Sequence, residues 1–179
     1  RRSHTTCYMP GQPRDIDGRF NFWCGFGVEP AIGEPVAILE HLRTVICSGN
    51  QEYYDYLLKW FAWTVQFPDR KSEVAVVLLG KKGTGKSSIG KIMLIINEAV
   101  WGGDKRYESV LKAAVTDPFG PVEGKGENAF SGRNYWNLLV FSNDAWAVPA
   151  TLDSRRFFVL EVSDQRVDDD AYFDRLHDC

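Results

Sequence analysis

Val74-Ala75-Val76-Val77-Leu78-Leu79-Gly80-Lys81-Lys82-Gly83-Thr84-Gly85-Lys86-Ser87 is the stretch on which the reading of this chain turns. Six apolar residues in a row, three of them valine, fit a strand buried on both faces, as in a parallel sheet. They run directly into glycine, four residues, glycine, lysine and serine, which is the spacing of a Walker A sequence. Gly80, Gly83 and Gly85 let backbone N–H groups turn inward around a phosphate, in conformations that a side chain hinders. Lys86 can reach the β- and γ-phosphates of a nucleotide, and Ser87 can offer its hydroxyl to Mg²⁺. A helix starting near Lys86 points its positive end at the same anion. The run from Gly80 through Thr84 to Ser87 and Ser88 is therefore the expected ATP-binding segment. The competing reading is a glycine loop that holds no nucleotide, and the apolar strand in front of it weighs against that.

The chain has 179 residues, enough for one domain with a sizeable core, and its apolar and charged fractions are those of an ordinary folded protein. A net charge of −3 carries no overall polyanion-binding signature, so nucleic-acid contact needs a local patch or a ring of subunits. No apolar stretch approaches the roughly 20 residues that span a bilayer, and no signal peptide is visible; the expected location is cytoplasmic. The chain starts Arg1-Arg2-Ser3-His4 without an initiator methionine, which reads as an excised or partly observed piece of something longer. Its four cysteines are far apart, form no Cys-x-x-Cys pair and read as unpaired thiols. His4 and Cys7 have a ligand-like separation, but two candidates do not make a zinc site.

Residues 1–47 read as an irregular lead-in, rich in Gly, Pro and aromatics over 1–36, with Phe20, Phe22, Trp23 and Phe26 expected to anchor it to a core. Residues 48–179 read as the main domain. After Asn50, a good N-cap, Gln51 to Gln66 is expected to be a helix burying Tyr54, Leu57, Leu58, Phe61, Ala62 and Val65. Leu94-Ile95-Ile96, Leu138 to Phe141, and Arg156 to Val162 read as further buried strands. Lys105 to Val115 reads as a helix with Tyr107, Val110, Leu111 and Ala114 inside. Glycines and prolines over 117–134 mark a loop or hairpin, and a short helix lies around 171–177. Buried strands alternating with helices imply an α/β fold with a mainly parallel sheet. Between Lys86 and Leu94 there is barely room for two helical turns, whereas a parallel crossover usually takes a dozen or more residues. The reading therefore expects residues to be missing between about Met93 and Leu94.

Nucleotide hydrolysis needs more than a cradle, and the chain offers candidates for each further part. Glu98, just past an apolar strand, can orient the attacking water. Asn97 before it can hydrogen-bond a metal-bound water without adding charge, so Ser87, Asn97 and Glu98 form the candidate Mg²⁺ set. Asn143 ends a buried strand, at the carboxyl edge where open α/β sheets bind ligands, and can sense a γ-phosphate. Arg155 or Arg156, supplied across a subunit boundary, can stabilise charge developing on phosphoryl transfer; the two are not distinguished. Lys125, flanked by glycines, and Lys112 can reach a nucleic-acid phosphate backbone.

The order of these pieces resembles the superfamily III helicases, specifically the primase-associated helicase domains of phages, plasmids and large DNA viruses. The resemblance is carried by Asn21-Phe22-Trp23-Cys24-Gly25-Phe26-Gly27-Val28-Glu29-Pro30, the run 80–87, Asn97-Glu98-Ala99 and Trp101-Gly102-Gly103-Asp104-Lys105. Leu111-Lys112, Lys125-Gly126, Ser142-Asn143 and Asp153-Ser154-Arg155-Arg156-Phe157 extend it over most of 20–177. It implies a P-loop NTPase fold similar to AAA+ domains, with residues 1–47 as a collar-like segment. It also implies ATP-driven translocation on single-stranded DNA by a homo-hexameric ring, linked to a primase or polymerase. In such families Lys86, Ser87, Glu98 and Asn143 belong to one face of the site, and Arg155 or Arg156 reaches the neighbour's nucleotide. Lys125 then lies in the hairpin that follows DNA through the channel. Three departures stand out: Asn97 replaces an acidic residue, Gly124 replaces a basic one, and the link before Leu94 lacks an extra strand. The rival hypotheses are a monomeric P-loop phosphotransferase and a nucleotide-gated assembly module without turnover.

Overall fold

The computed structural model describes residues 5–27, 29–90, 105–122, 130–143 and 155–178. Its centre is the strand expected from the valine-rich run, β4 (Ala75–Leu79), numbered after three short strands of the lead-in. β4 pairs in parallel with β7 (Leu139–Ser142) on one side and β8 (Phe157–Glu161) on the other. Alternation along β4 sends Val76 and Leu78 to one face, and Ala75, Val77 and Leu79 to the other. Both faces are covered, which is why the run is apolar without a break.

One face carries α2 (Gln51–Gln66), whose N-cap Asn50 accepts a hydrogen bond from the Tyr53 amide at 3.0 Å. On the same face lies α1 (Val36–His41), continued by a π-helical turn at Leu42–Ile46 that buries Leu42, Val45 and Ile46 against the sheet. α5 (Asp170–His177) completes this layer with Tyr172 and Leu176. α4 (Lys105–Thr116) covers the opposite face through Leu111, Ala114 and Val115. Lys71 Nζ donates to the Ala114 and Asp117 carbonyls at 2.8 and 3.0 Å, satisfying acceptors left over at the end of that helix. A hairpin of β5 (Phe119–Val122) and β6 (Phe130–Arg133) follows, within the glycine-rich region expected to be a loop or hairpin.

Three sequence expectations need correction. The phenylalanines of the lead-in do not anchor it: Phe22 and Phe26 are more than half exposed and Phe20 is exposed too, whereas half-buried Trp23 packs on Tyr8, which meets Tyr135. The phenylalanines form edge-to-face pairs at the surface, Phe20 with Phe22 and Trp23 with Phe26. A small sheet of β1 (Thr5–Cys7), β2 (Asp15–Ile16) and β3 (Arg19–Asn21) is instead gathered around a fully buried polar side chain, Asn21. Its amide donates to the carbonyls of Met9 (2.8 Å), Pro13 (3.0 Å) and Gln12 (3.2 Å), and its oxygen accepts from the Met9 and Trp23 amides. In α2 the buried stripe runs Tyr54, Leu57 and Trp60, while Ala62 and Val65 face solvent. Trp60 can be buried because its Nε1–H donates to the Val74 carbonyl (2.9 Å) and Ser72 Oγ (3.0 Å). In α4, Val110 is exposed and Val115 takes its inner place. Among the described residues no helix is long and apolar enough to cross a membrane, and Cys7, Cys24 and Cys47 are free thiols.

Candidate functional site

Of the three strands of the parallel sheet β4 comes first in the chain, yet it lies between the two that come later. The connections from its carboxyl end must therefore diverge to either side, and a crevice opens where they part. Leu79, the last residue of β4, is level with Ser142 of β7 and Glu161 of β8. The ladder continues one step further through Gly80 N–H to Ser142 O (3.1 Å) and Val162 N–H to Leu79 O (2.7 Å). The chain then turns through Gly83 and Gly85, both with φ near +80°, and enters α3 (Lys86–Gly90). The result is a cleft of about 440 Å³, bordered by residues 81–88, the end of β7 and one side of α5.

Lys86 lies inside this turn, only 6% exposed. Its ammonium donates to the Gly80 carbonyl, to the Lys81 carbonyl at 2.7 Å and to Asn143 Oδ1 at 3.2 Å, with Thr84 Oγ1 at 3.4 Å. Among the described residues these acceptors are all neutral. Burial without a countercharge depresses the lysine's pKa below its ordinary value. Thr84 is buried and donates to the Lys81 carbonyl at 3.0 Å, closing the turn from within. Lys81 points the other way and pairs with Asp164 at 2.7 Å in solvent. The hydrogen bond and the opposite charge raise the Lys81 pKa and lower that of Asp164.

The underside of the turn rests on residues that the sequence reading passed over. His41 is fully buried, with Nε2 3.3 Å from the Gly85 carbonyl and Nδ1 2.9 Å from the Tyr172 hydroxyl. A carbonyl can only accept, so Nε2 carries the proton and Nδ1 accepts from the tyrosine. Desolvation lowers the His41 pKa, outweighing the hydrogen bond to Gly85. A Cβ at position 85 would lie 2.5 Å from Phe173 and 2.7 Å from His41, so glycine is required there by contact as well as by φ. Ser88, half a turn beyond Lys86, lies 3.1 Å from His177 Nε2. The 173/177 spacing on one helix face was visible in sequence, but nothing local announced that this face meets a loop some 90 residues earlier.

The structure thus brings Gly83, Thr84, Gly85, Lys86, Ser87, Ser88 and Asn143 into one cleft, with Gly80 behind it accepting from Lys86. Arg155 and Arg156 are exposed and precede β8, at the amino end of the parallel sheet. About 15 Å of strand separates that end from the cleft at ~3.3 Å per residue. Lys112 lies on α4, on the sheet face opposite α2 and away from the cleft border. Asn97, Glu98, Lys125, the expected strand at 94–96 and the Met93–Leu94 junction lie outside the described residues.

Among known proteins the chain has one family match and several similar folds. A family described only as one of unknown function, DUF5906, matches residues 81–156, from the glycine loop to the twin arginines. No curated protein is significantly similar to the chain. Among solved structures it is similar to the apo NrS-1 C-terminal region (305–718), with a TM-score of 0.78 and 19% identity over 97% of this chain and 52% of that one. An A form of the same region gives 0.74, 20%, 96% and 50%. The fold is shared with that region, and this chain spans about half its length.

Proposed function

We propose that this chain is the ATP-hydrolysing motor module of a DNA helicase of superfamily III type, with a P-loop nucleotide site working between subunits of a ring. The observation that carries the proposal is Lys86, a buried ammonium held by backbone carbonyls of its own loop and by Asn143 from the adjoining strand. Carbonyls are weak partners for a desolvated cation, and a triphosphate entering the cleft offers charged ones. Gly83 and Gly85 fit the same ligand, because their positive φ angles aim N–H groups where an L side chain would be strained.

In this reading Lys86 holds the β- and γ-phosphates, and Ser87 with Asn97 and Glu98 holds Mg²⁺. Asn143 contacts the γ-phosphate, and Glu98 orients the water that attacks it. Mg²⁺, when bound, would neutralise charge on the phosphate oxygens and so ease that attack. The arginines explain why a ring is needed. Lying at the opposite end of the sheet from its own cleft, Arg155 or Arg156 serves a neighbouring copy's nucleotide. Lys125 and Lys112 contact single-stranded DNA in a hexamer channel, and the fused or associated partner is a primase or polymerase of phage type. The absence of charge at Asn97 favours a second reading, in which ATP holds the ring together without turnover.

DNA-stimulated ATP turnover by the full-length protein decides between the two. Lys86→Ala is expected to abolish nucleotide binding. Glu98→Gln is expected to keep binding and lower turnover by orders of magnitude. Tight ATP binding with no wild-type turnover, on DNA or off it, would leave the assembly reading in place of the motor.

A further inference from the structure

The phosphate-holding residues account for only one flank of the cleft. Lys86 turns towards Asn143 and the end of β7, while Ser88, two positions along α3, turns towards α5 and meets His177. Side chains two apart on a helix diverge by about 200°, so these contacts lie on different sides of the loop. A P-loop lysine reaches the β- and γ-phosphates, so the Lys86–Asn143 flank is the terminal-phosphate end. The ligand must leave along the other flank, past Ser88. There the border is made by Phe173 and His177, one helical turn apart on the same face of α5.

Phe173 is held in a defined position. Its ring covers Gly85, and it packs edge-to-face against Tyr172 (centroids 5.3 Å apart) and His41 (6.3 Å). Tyr172 is in turn fixed by its hydroxyl on His41, and α5 is capped by Asp169, which accepts from the Tyr172 amide at 3.1 Å. A preorganised aromatic ring beside the α-phosphate end is a stacking surface that a bare phosphate chain does not need. His177 adds a second planar ring that can stack or hydrogen-bond a ribose hydroxyl.

We propose that Phe173 and His177 form the nucleoside end of the cleft, so that the ligand is gripped by its base and ribose as well as by its phosphates. The proposal rests on the P-loop reading above and selects nucleoside triphosphates over inorganic polyphosphate. C-terminal helix α5 thereby becomes part of the binding site.

The test is calorimetric titration of the full-length protein with ATP and, separately, with inorganic tripolyphosphate, both with Mg²⁺. Phe173→Ala is expected to weaken ATP about five- to a hundredfold, the span of aromatic–base stacking. Because the same ring braces Gly85, tripolyphosphate should weaken too but by less than ATP, so the ratio of the two losses carries the test. Phe173→Tyr should keep ATP affinity. His177→Ala, an exposed change that keeps the fold, should lower the ATP-to-tripolyphosphate preference in the same direction and decides the matter if Phe173→Ala does not fold. Equal losses for both ligands, or none for either, would overturn the proposal. Lys86→Ala separates this from the parent reading: it should weaken both ligands, and a wild type that binds neither removes the phosphate site and the nucleoside end together.

Discussion

The loop at 80–85 and the turns at 8–18 are both irregular, glycine-bearing stretches, yet they are held in opposite ways. The turns close on a buried amide, Asn21, that belongs to the same segment and gathers carbonyls 8 to 12 residues away. The loop is strapped from outside by Asn143, by His41 and by the ring of Phe173, contributed by three separate parts of the chain. Gly18 and Gly85 make the contrast concrete. Their φ angles are +78° and +81°, but a Cβ at 18 meets nothing within 4 Å, while one at 85 collides with two rings. The turn at Gly18 answers only to its own backbone. The strapped loop answers to everything packed on it, which is what holds the cleft in one shape.

The largest effect that would test this contrast is Gly85→Ala. Left-handed φ costs about 1–2 kcal/mol for alanine, and overpacking adds about 1–3 kcal/mol. The global urea midpoint should therefore fall well below wild type, while Gly18→Ala shows only the backbone part. Similar losses at the two positions would mean that the rings over Gly85 give way easily. Next comes Asn21→Ala, which takes partners from part-buried backbone groups of one short segment, a loss of about 1–3 kcal/mol in all because water can reach the exposed ones. Because Asn21 binds only its own segment, the loss should appear as faster amide exchange over residues 5–23 with the β4 amides still protected. Exchange rising equally in β4 would show that the lead-in and the sheet unfold as one unit.

The smallest effect concerns pH. The His41 pKa is lowered in the folded state by burial, so the unfolded chain binds more protons as pH falls through the ordinary histidine range near 6.5. Its stabilising contribution is present above that range and is lost as pH drops towards the depressed folded value. Urea midpoints at pH 7.5 and 5.5 should separate more for wild type than for His41→Gln, which cannot take up the proton. Equal separations would remove His41 as a titrating support of the loop.

Much of this was open to a reader of the residues. A two-sided apolar run followed by glycine, lysine and serine at set spacing specifies a strand, a tight turn and a helix start. Asn50 specified where α2 begins, since an amide at an N-cap finds its donor within three residues. Local pattern was a poorer guide to which side of an element faces inward. Trp60 was passed over because its burial depends on acceptors at Ser72 and Val74, 12 and 14 residues downstream. The lead-in aromatics were assigned to a core that Asn21 occupies.

What runs along the chain within one or two turns, such as strand, helix, cap and phosphate-loop spacing, is set by periodicity and backbone preference, and it could be written down before any coordinates. The strand order β7-β4-β8 could not, and it alone brings Asn143 to Lys86 across 57 positions and sends Arg155 and Arg156 to the far end of the sheet. The bond between His41 and Tyr172 spans 131 positions. No short-range pattern encodes such a meeting, because it arises only when helices from both ends of the chain bury their apolar stripes on the same face of one sheet.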